Sequence, residues 1–372
     1  MPRSPDLSDD IHRYVWDGKV ARAAVSPYAF APADPVMARL DPELRSRVAH
    51  PEIRTVYPPV AQAVFRSFGG SRMGLKAFFS AADVAIVAML WRPGPGGAFA
   101  AALYAFHPLP VTETAGQGHL DSLGVALLVA SLTWLARQRR AAAGVAFAAS
   151  VLTKYVSVAA LPVLLRNGRT RFLAAAGLFS ALVWTIAGRG ASPLGGFSEF
   201  AMRWDSNSVL YPAVVRLMDW SDLPSRAKGL FIAWKAGHGH PPWTQDVFPF
   251  FYSAFFARIA LALLLVPALA WITWRVRDPI DGTFAALAAL LLLSPTLHPW
   301  YLLWLLPFAA MRRNPAFLYL SWAVSLSYAL MYPTPLLPRP AVYAIEYVPF
   351  VLLLLPGMRR LGARFLRAEP AR

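Results

Sequence analysis

The 372-residue chain contains no cysteine, so no disulfide supports its fold and thiol chemistry takes no part in its function. Acidic residues are scarce, with 20 Asp and Glu against 36 Lys and Arg, and charged residues of both signs make up only 15% of the chain. Internal repeats and low-complexity tracts are absent, and the apolar runs lack the strict alternation of an outer-membrane barrel, which sets aside a membrane protein built of strands. Residues 1–56 themselves contain no signal-peptide pattern and no apolar span.

What is abundant is apolar. Hydrophobic residues make up 57% of the chain, with 13 Trp, and the mean hydropathy is +0.43. A soluble domain of this length cannot hide that much apolar surface, whereas a bilayer can. Apolar stretches at or somewhat under spanning length recur near 73–91, 98–112, 119–136, 141–153, 156–165, 170–187, 249–274, 281–296, 300–311, 315–332 and 342–357. The fold class expected is an all-α polytopic membrane protein of about 11 helices.

The net charge of +16 is not a nucleic-acid signal. Sixteen arginines fall in short connections between these stretches and in the C-terminal tail: Arg92; Arg137, Arg139 and Arg140; Arg166, Arg169 and Arg171; Arg275 and Arg277; Arg312 and Arg313; Arg359, Arg360, Arg364, Arg367 and Arg372. Only Asp278, Asp281 and Glu369 oppose them, so these segments read as cytoplasmic, the C-terminus included. Residues 1–56 carry eight basic and eight acidic residues and 188–248 carry six and five, which places both on the opposite face. The expected organisation is therefore an extracytoplasmic segment 1–72, helices over 73–187, a second extracytoplasmic insertion 188–248, helices over 249–357 and a basic cytoplasmic tail 358–372. Either the first span carries the N-terminal segment across the membrane, or a twelfth helix precedes it; Pro2–Leu7 reads as the end of a longer segment, and the second arrangement is expected. The preference for Arg over Lys, with abundant Ala and Pro, fits a GC-rich bacterial genome and hence the inner membrane.

Between Ser8 and Gly18 the chain reads S-D-D-I-H-R-Y-V-W-D-G, a dense ionisable cluster beside a membrane domain. If 9–20 is helical, Asp10 and Asp17 share a face with Arg13 and Tyr14 between them, while Asp9 points elsewhere. A carboxylate at headgroup level can take the proton of an acceptor hydroxyl, and Asp9 and Asp10 are the candidates. The bland alternative is that Ser8 caps the helix and the two acids favour its positive N-terminus. Pro58 and Pro59 open a short helix over 59–68, preceded by His50 and Tyr57.

Three further constellations carry polar groups into apolar surroundings. Gly116-Gln117-Gly118-His119-Leu120-Asp121 joins two spans; His119 and Asp121 suit a phosphate or sugar hydroxyl, or else form a polar turn with Asp121 as a helix cap. Glu113 and His107 lie in or near the preceding span, where ionisable groups are functional or paired. Lys154, at the turn of the short helical pair 141–165, and Arg258, within 249–274, are candidate phosphate partners, with snorkelling as the alternative for Lys154. Ser294-Pro295-Thr296-Leu297-His298-Pro299-Trp300-Tyr301 breaks a hydrophobic hairpin; His298, Trp300 and Tyr301 line a sugar pocket or belong to an aromatic belt. His238 and His240 lack a carboxylate or cysteine partner and are rejected as a metal site; no metal or other cofactor is called for.

S-D-D-I-H-R-Y-V-W-D-G, S-P-Y-A-F-A-P, H-P-E-I-R-T-V-Y-P-P-V-A-Q, G-H-L-D-S-L and S-P-T-L-H-P-W-Y-L-L-W-L-L-P together resemble the bacterial polytopic glycosyltransferases of the GT-C fold, nearest the mannosyltransferase-like proteins of family 87 and distantly similar to GPI mannosyltransferases. The resemblance runs from Ser8 to about Pro356. It implies a polyprenyl-phosphate sugar donor, an inverting transfer to a lipid or glycan acceptor, mannose as the sugar, and an acidic base in the first extracytoplasmic loop, which falls on Asp9 or Asp10. Arg13, Tyr14, Asp17, His50, Tyr57, His119, Asp121, Lys154, Arg258, His298, Trp300 and Tyr301 are the expected substrate contacts. The family's first helix, which precedes this loop, is missing from the match. Two other classes stay open: a transporter or flippase of lipid-linked sugar, against which the absent repeat argues, and a non-catalytic membrane scaffold.

Overall fold

A computed structural model describes residues 7–91, 94–166, 169–187, 195–330 and 335–367. Expectations that rest on residues 2–6, Arg92, Glu369 and Arg372 lie outside them. The described chain is helical, with isolated bridges of Ser206 and Asn207 to Thr296 in place of strands.

The N-terminal segment folds as α1 (Asp10–Arg22), α2 (Pro42–Arg45) and α3 (Pro59–Ser67). Pro58 and Pro59 start α3 as expected, since a missing N–H costs nothing at a helix's first turn. A membrane half follows: α4 (Arg72–Leu90), α5 (Pro95–Ala105), a π-helix (Pro110–Gly116), α6 (Asp121–Ala136), α7 (Arg140–Val151), a 3₁₀ turn (Tyr155–Ala160), α8 (Leu161–Leu165) and α9 (Arg169–Ala187). The second insertion, read from sequence as a loop rich in Trp, Gly and Pro, is largely helical: α10 (Gly195–Arg203), α11 (Leu210–Ser221), α12 (Leu223–Gly237) and α13 (Thr244–Val247). The last part contains α14 (Ser253–Arg275), α15 (Pro279–Leu293), a 3₁₀ turn (Pro299–Trp304), α16 (Leu306–Arg312), α17 (Pro315–Ala323), a 3₁₀ stretch (Val324–Leu330) and α18 (Arg339–Arg367).

The eleven apolar stretches become helical segments of unequal length. Among the described residues four helices are long and apolar enough to cross a membrane, over 72–90, 170–187, 253–275 and 339–356; a fifth arises if the π-helix and α6, bent by 117°, are one span. The others are shorter. α15, at 15 residues, is about 22 Å long against a hydrocarbon core of about 30 Å. The cause is proline and glycine. The stretch expected at 98–112 stops at Ala105, because Pro108 and Pro110 remove donors and restrict the residues before them. Broken helices at membrane depth are tolerated where the freed backbone lines a cavity or packs inside protein.

The core forms where α4, α5, α6, α15, α16 and α17 surround the buried 299–306 segment, with Trp304, Leu302, Leu303 and Phe308 fully enclosed. By contrast, the outer faces of the long helices are bare and apolar: Leu178 is 74% exposed and Leu263 67%. Such surfaces require lipid, and the chain is an all-α polytopic membrane protein.

A second cluster ties α1 to α3 and α4 through Ile11, Tyr14, Phe65 and Phe79. Here Gly18 permits the helices to touch: a Cβ at this position would sit 2.2 Å from the Phe65 carbonyl oxygen. We expect Gly18→Ala to destabilise the folded protein by about 1–3 kcal/mol through forced separation of α1 from α3. Gly177→Ala on α9, where a Cβ would meet nothing within 4 Å, is the control and stabilises by up to about 1 kcal/mol. Thermal unfolding of the purified variants in detergent measures both.

Candidate functional site

A cavity of about 380 Å³ opens where α1, the 49–58 segment, the Lys154 turn, the start of α10, α14, the end of α15 and the His298 segment converge. Asp10 lies on its wall because the start of α1 is pinned to the turn below it. The Leu7 and Ser8 N–H groups both donate to Gln117 Oε1, at 2.8 and 3.2 Å. Gly118, at φ +83°, brings that turn so close that a Cβ would meet Ile11 Cδ1 at 2.9 Å. Asp10 opens the helix, Ser8 Oγ accepts from its N–H at 3.3 Å, and Asp9 at the N-cap makes no side-chain cap and is exposed. Of the two adjacent acids, only Asp10 reaches the cavity.

Behind Asp10 stands a second carboxylate. Asp121 is the first residue of α6 and has no exposed surface. The expected helix cap is not made there. Instead, Lys154 Nζ donates to both carboxylate oxygens, at 2.7 and 2.9 Å, and Trp304 Nε1 donates to Oδ1 at 2.7 Å. Lys154 also lies 4.3 Å from the centre of the Tyr301 ring. Its ammonium is therefore drawn inward rather than snorkelling to the interface.

The broken hairpin supplies a stack. His298 lies parallel to Trp300 at 4.4 Å, and Trp300 lies parallel to His119 at 3.9 Å. His298, Trp300 and Tyr301 line the cavity, as expected, whereas His119 is buried behind Trp300 with its Nδ1 3.6 Å from Asp10 Oδ2. On the opposite wall, Arg258 Nη1 donates to the Ala201 and Trp204 carbonyls at 3.1 and 2.9 Å, and its guanidinium covers the Tyr211 ring at 4.9 Å. It thereby fixes the second insertion against α14. His50, at φ +51°, sets its ring edge-on to Trp204 at 4.4 Å.

Four expected substrate contacts do not line the cavity: His119 and Asp121, which stand behind its wall, and Asp17 and Tyr14. Asp17 accepts from Arg13 Nε at 2.9 Å, Thr55 Oγ1 at 2.5 Å and Gln62 Nε2 at 2.9 Å, a set of partners that locks α1 to the 53–62 segment. Tyr14 is buried, with its ring stacked on Phe65 at 4.6 Å. Arg13 touches the cavity but is committed to Asp17 and to the Ile53 carbonyl, at 2.9 Å each. The sequence reading passed over Arg54, although it lies within the H-P-E-I-R-T-V-Y block. It is an exposed cation on the cavity wall and has no hydrogen bond or ion pair among the described residues. Trp204 and Thr296 were missed as well; Thr296 Oγ1 donates to the Trp204 carbonyl at 3.1 Å and closes the wall between them.

The electrostatics follow from enclosure. Asp10 keeps a third of its side-chain surface, turned to the cavity, yet the surrounding protein withholds bulk water. Burial pushes its carboxyl up to about 6; the Asp121 charge adds to this, and Lys154 opposes it. His298 is pushed down to about 3, by burial first and then by the Lys154 charge, so it is neutral at physiological pH. The rest of the wall is apolar, with Val156, Val158, Leu290 and Leu291 facing the polar groups. Among the described residues no group of three or more His, Asp and Glu is placed to hold a metal ion.

An enclosed carboxylate, unattached cationic surface and an apolar wall on a polytopic bundle suit chemistry on a lipid-borne substrate. Sequence comparison agrees: residues 55–295 match glycosyltransferase family 87. The chain belongs to that family. This family 87 enzyme also matches the MptB C-terminal domain over residues 252–355; the two matches together cover most of the chain, consistent with a mannosyltransferase-like family. The family match begins after α1, so Asp10 lies outside it, while Tyr57, Asp121, Lys154 and Arg258 lie within. No curated protein and no solved structure matches the chain.

Removing one partner from a buried ion pair is costly. We expect Lys154→Met to destabilise the enzyme by about 3–5 kcal/mol, because Asp121 is left charged and buried. The double variant Lys154→Met with Asp121→Asn recovers part of that loss, as the amide still accepts from Trp304. Unfolding midpoints of the two variants decide it.

Proposed function

We propose that this glycosyltransferase moves mannose from a polyprenyl-phosphate donor to a hydroxyl of a lipid or glycan acceptor on the extracytoplasmic face of the inner membrane, with inversion and with Asp10 as the base. The observation that carries this reading is the placement of Asp10, an acid on the wall of a cavity lined by apolar residues and by the cations Arg13, Arg54, Lys154 and Arg258. The apolar lining suits an isoprenoid chain; the cations suit its phosphate.

In this mechanism Asp10 takes the acceptor hydroxyl proton as the oxygen attacks the anomeric carbon. The bond from that carbon to the phosphate oxygen breaks on the opposite face, and polyprenyl phosphate leaves. Arg54, uncommitted to other groups, is the best placed cation to receive the charge growing on the phosphate. Arg258 and Lys154 border the same cavity, but their hydrogen bonds to the Trp204 carbonyl and to Asp121 leave them as supports of the field rather than mobile clamps. Neutral His298, Trp300 and Tyr301 present ring faces and one imidazole to the sugar. Charge distribution supports the assigned face, since the longer segments bearing the site are balanced in charge and the short connections are basic.

The test is transfer of labelled mannose from polyprenyl-phosphate mannose into membrane lipid or glycan. Asp10→Asn is expected to lower kcat by about 10²–10⁴, while Asp9→Asn keeps activity within about threefold, because its carboxylate faces away. The opposite ranking would move the base to Asp9. A base works when ionised, so kcat/KM falls as pH drops through about 6, the value to which burial raises Asp10. That acid limb disappears in Asp10→Asn. Loss of transport of the lipid-linked sugar, with transfer activity absent throughout, would favour a flippase.

A further inference from the structure

We propose that Glu113 is a positioning residue for Asp10, acting through His119. The inference rests on the reading of Asp10 as base and adds a residue that this reading does not use. The π-helix turns Glu113 inward, and π-helical turns recur at functional sites. Glu113 is fully buried, Tyr328 Oη donates to its Oε2 at 2.8 Å, and its Oε1 has no hydrogen-bond partner. His119 lies between two acids: Nε2 is 3.6 Å from Glu113 Oε2 and Nδ1 is 3.6 Å from Asp10 Oδ2. Neither ring nitrogen has another partner. The ring itself is clamped by Trp300, and its backbone N–H donates to the Glu113 carbonyl at 2.9 Å.

Counting protons decides what this row can be. A neutral imidazole carries one N–H, so it can donate to only one of two facing carboxylates; the other would oppose a lone pair in a site closed to water. One further proton must reside in the row. The remaining groups facing it do not supply one: Lys154 is held by Asp121, His298 is neutral, and Tyr57 and Tyr328 point their hydroxyls at Asp10 and Glu113. Glu113 is sealed, whereas Asp10 opens to the cavity, which assigns the proton to Glu113. Its carboxyl then turns its O–H toward the Nε2 lone pair across the 3.6 Å contact, a charge–dipole arrangement that favours the Nδ1–H tautomer facing Asp10 Oδ2. His119 thus holds Asp10 as an acceptor and leaves Oδ1 as the oxygen that takes the proton from the acceptor hydroxyl.

The test reads Asp10 without requiring turnover. Full-length protein in detergent is treated with dicyclohexylcarbodiimide, which modifies protonated carboxyls, and the labelling of Asp10 is followed against pH by peptide mass spectrometry. Wild type should label with a midpoint near 6. Glu113→Met frees the tautomer and is expected to raise that midpoint by about one unit, a tenfold change in protonated fraction at a given pH. Glu113→Gln, whose amide N–H presents the same positive end to Nε2, should stay within about 0.3 unit of wild type. His119→Phe, which keeps the stack on Trp300 and removes both nitrogens, should reproduce the Glu113→Met shift even if that variant fails to fold. An unmoved midpoint in His119→Phe or Glu113→Met overturns the proposal, as does a Gln variant that shifts as far as Met. Absence of mannose transfer in wild type would count against the proposed reaction alone, because the labelling comparison stands without it.

Discussion

One buried carboxylate organises this molecule. Asp121 stands at the start of α6 with no solvent contact, and its charge is answered by Lys154 from the turn after α7 and by Trp304 from the segment after α15. Three pieces of chain far apart in sequence therefore have to meet for the charge to be tolerable. Gly124 makes room for the meeting: a Cβ at this position would lie 2.5 Å from the Trp304 ring. The cavity wall is a consequence, since Trp300 and Tyr301 are held on the same 3₁₀ turn as Trp304, and Lys154 brings its charge up beneath Tyr301.

The interrupted helices belong to the same design. A span that runs unbroken through a bilayer satisfies its backbone internally and presents only side chains. Here prolines and glycine at 108–118 and 295–299 mark breaks between helices, so turns and helix starts rather than helix faces bring Thr296 and His298 to the cavity wall and His119 and Asp121 directly behind it, against Trp300 and Lys154. The long helices α4, α9, α14 and α18 carry the burden of crossing, and the short ones can be given over to the site. A family 87 glycosyltransferase thereby keeps polar reaction machinery inside an envelope that is largely hydrocarbon on its outside.

How much of this was legible in sequence depended on range. The proline-initiated helix at 59 followed from local chemistry and the class from apolar composition, whereas the helix at 10–22 stood in the sequence only as a condition, over 9–20, for Asp10 and Asp17 to share a face. The H-P-W-Y break was visible because histidine and proline are conspicuous in apolar surroundings. The choice between Asp9 and Asp10 was not legible, since it turns on how α1 rotates against a turn more than a hundred residues away, through Gln117. Asp17 and Tyr14 looked like site residues because they share the face of Asp10, yet Thr55, Gln62 and Phe65 claim them for packing. The Lys154–Asp121 pair joins two residues that stand out in the sequence separately and for different reasons. Arg54 escaped notice because an arginine beside a proline-rich block carries no local signature; only the absence of a partner marks it. Helix length was not legible for a related reason, as apolar content records a preference for lipid or core but not where a helix stops.

Val158, one of the apolar residues that line the cavity, is 48% exposed on the outside of the bundle's polar site. With the lipid-borne donor proposed above, an apolar edge of this kind would let the substrate approach sideways within the leaflet, without passing through water. For such an enzyme the meaningful concentration is a mole fraction in the membrane. Diluting the bilayer with inert lipid lowers occupancy of the site even when the total amount of substrate per litre is unchanged.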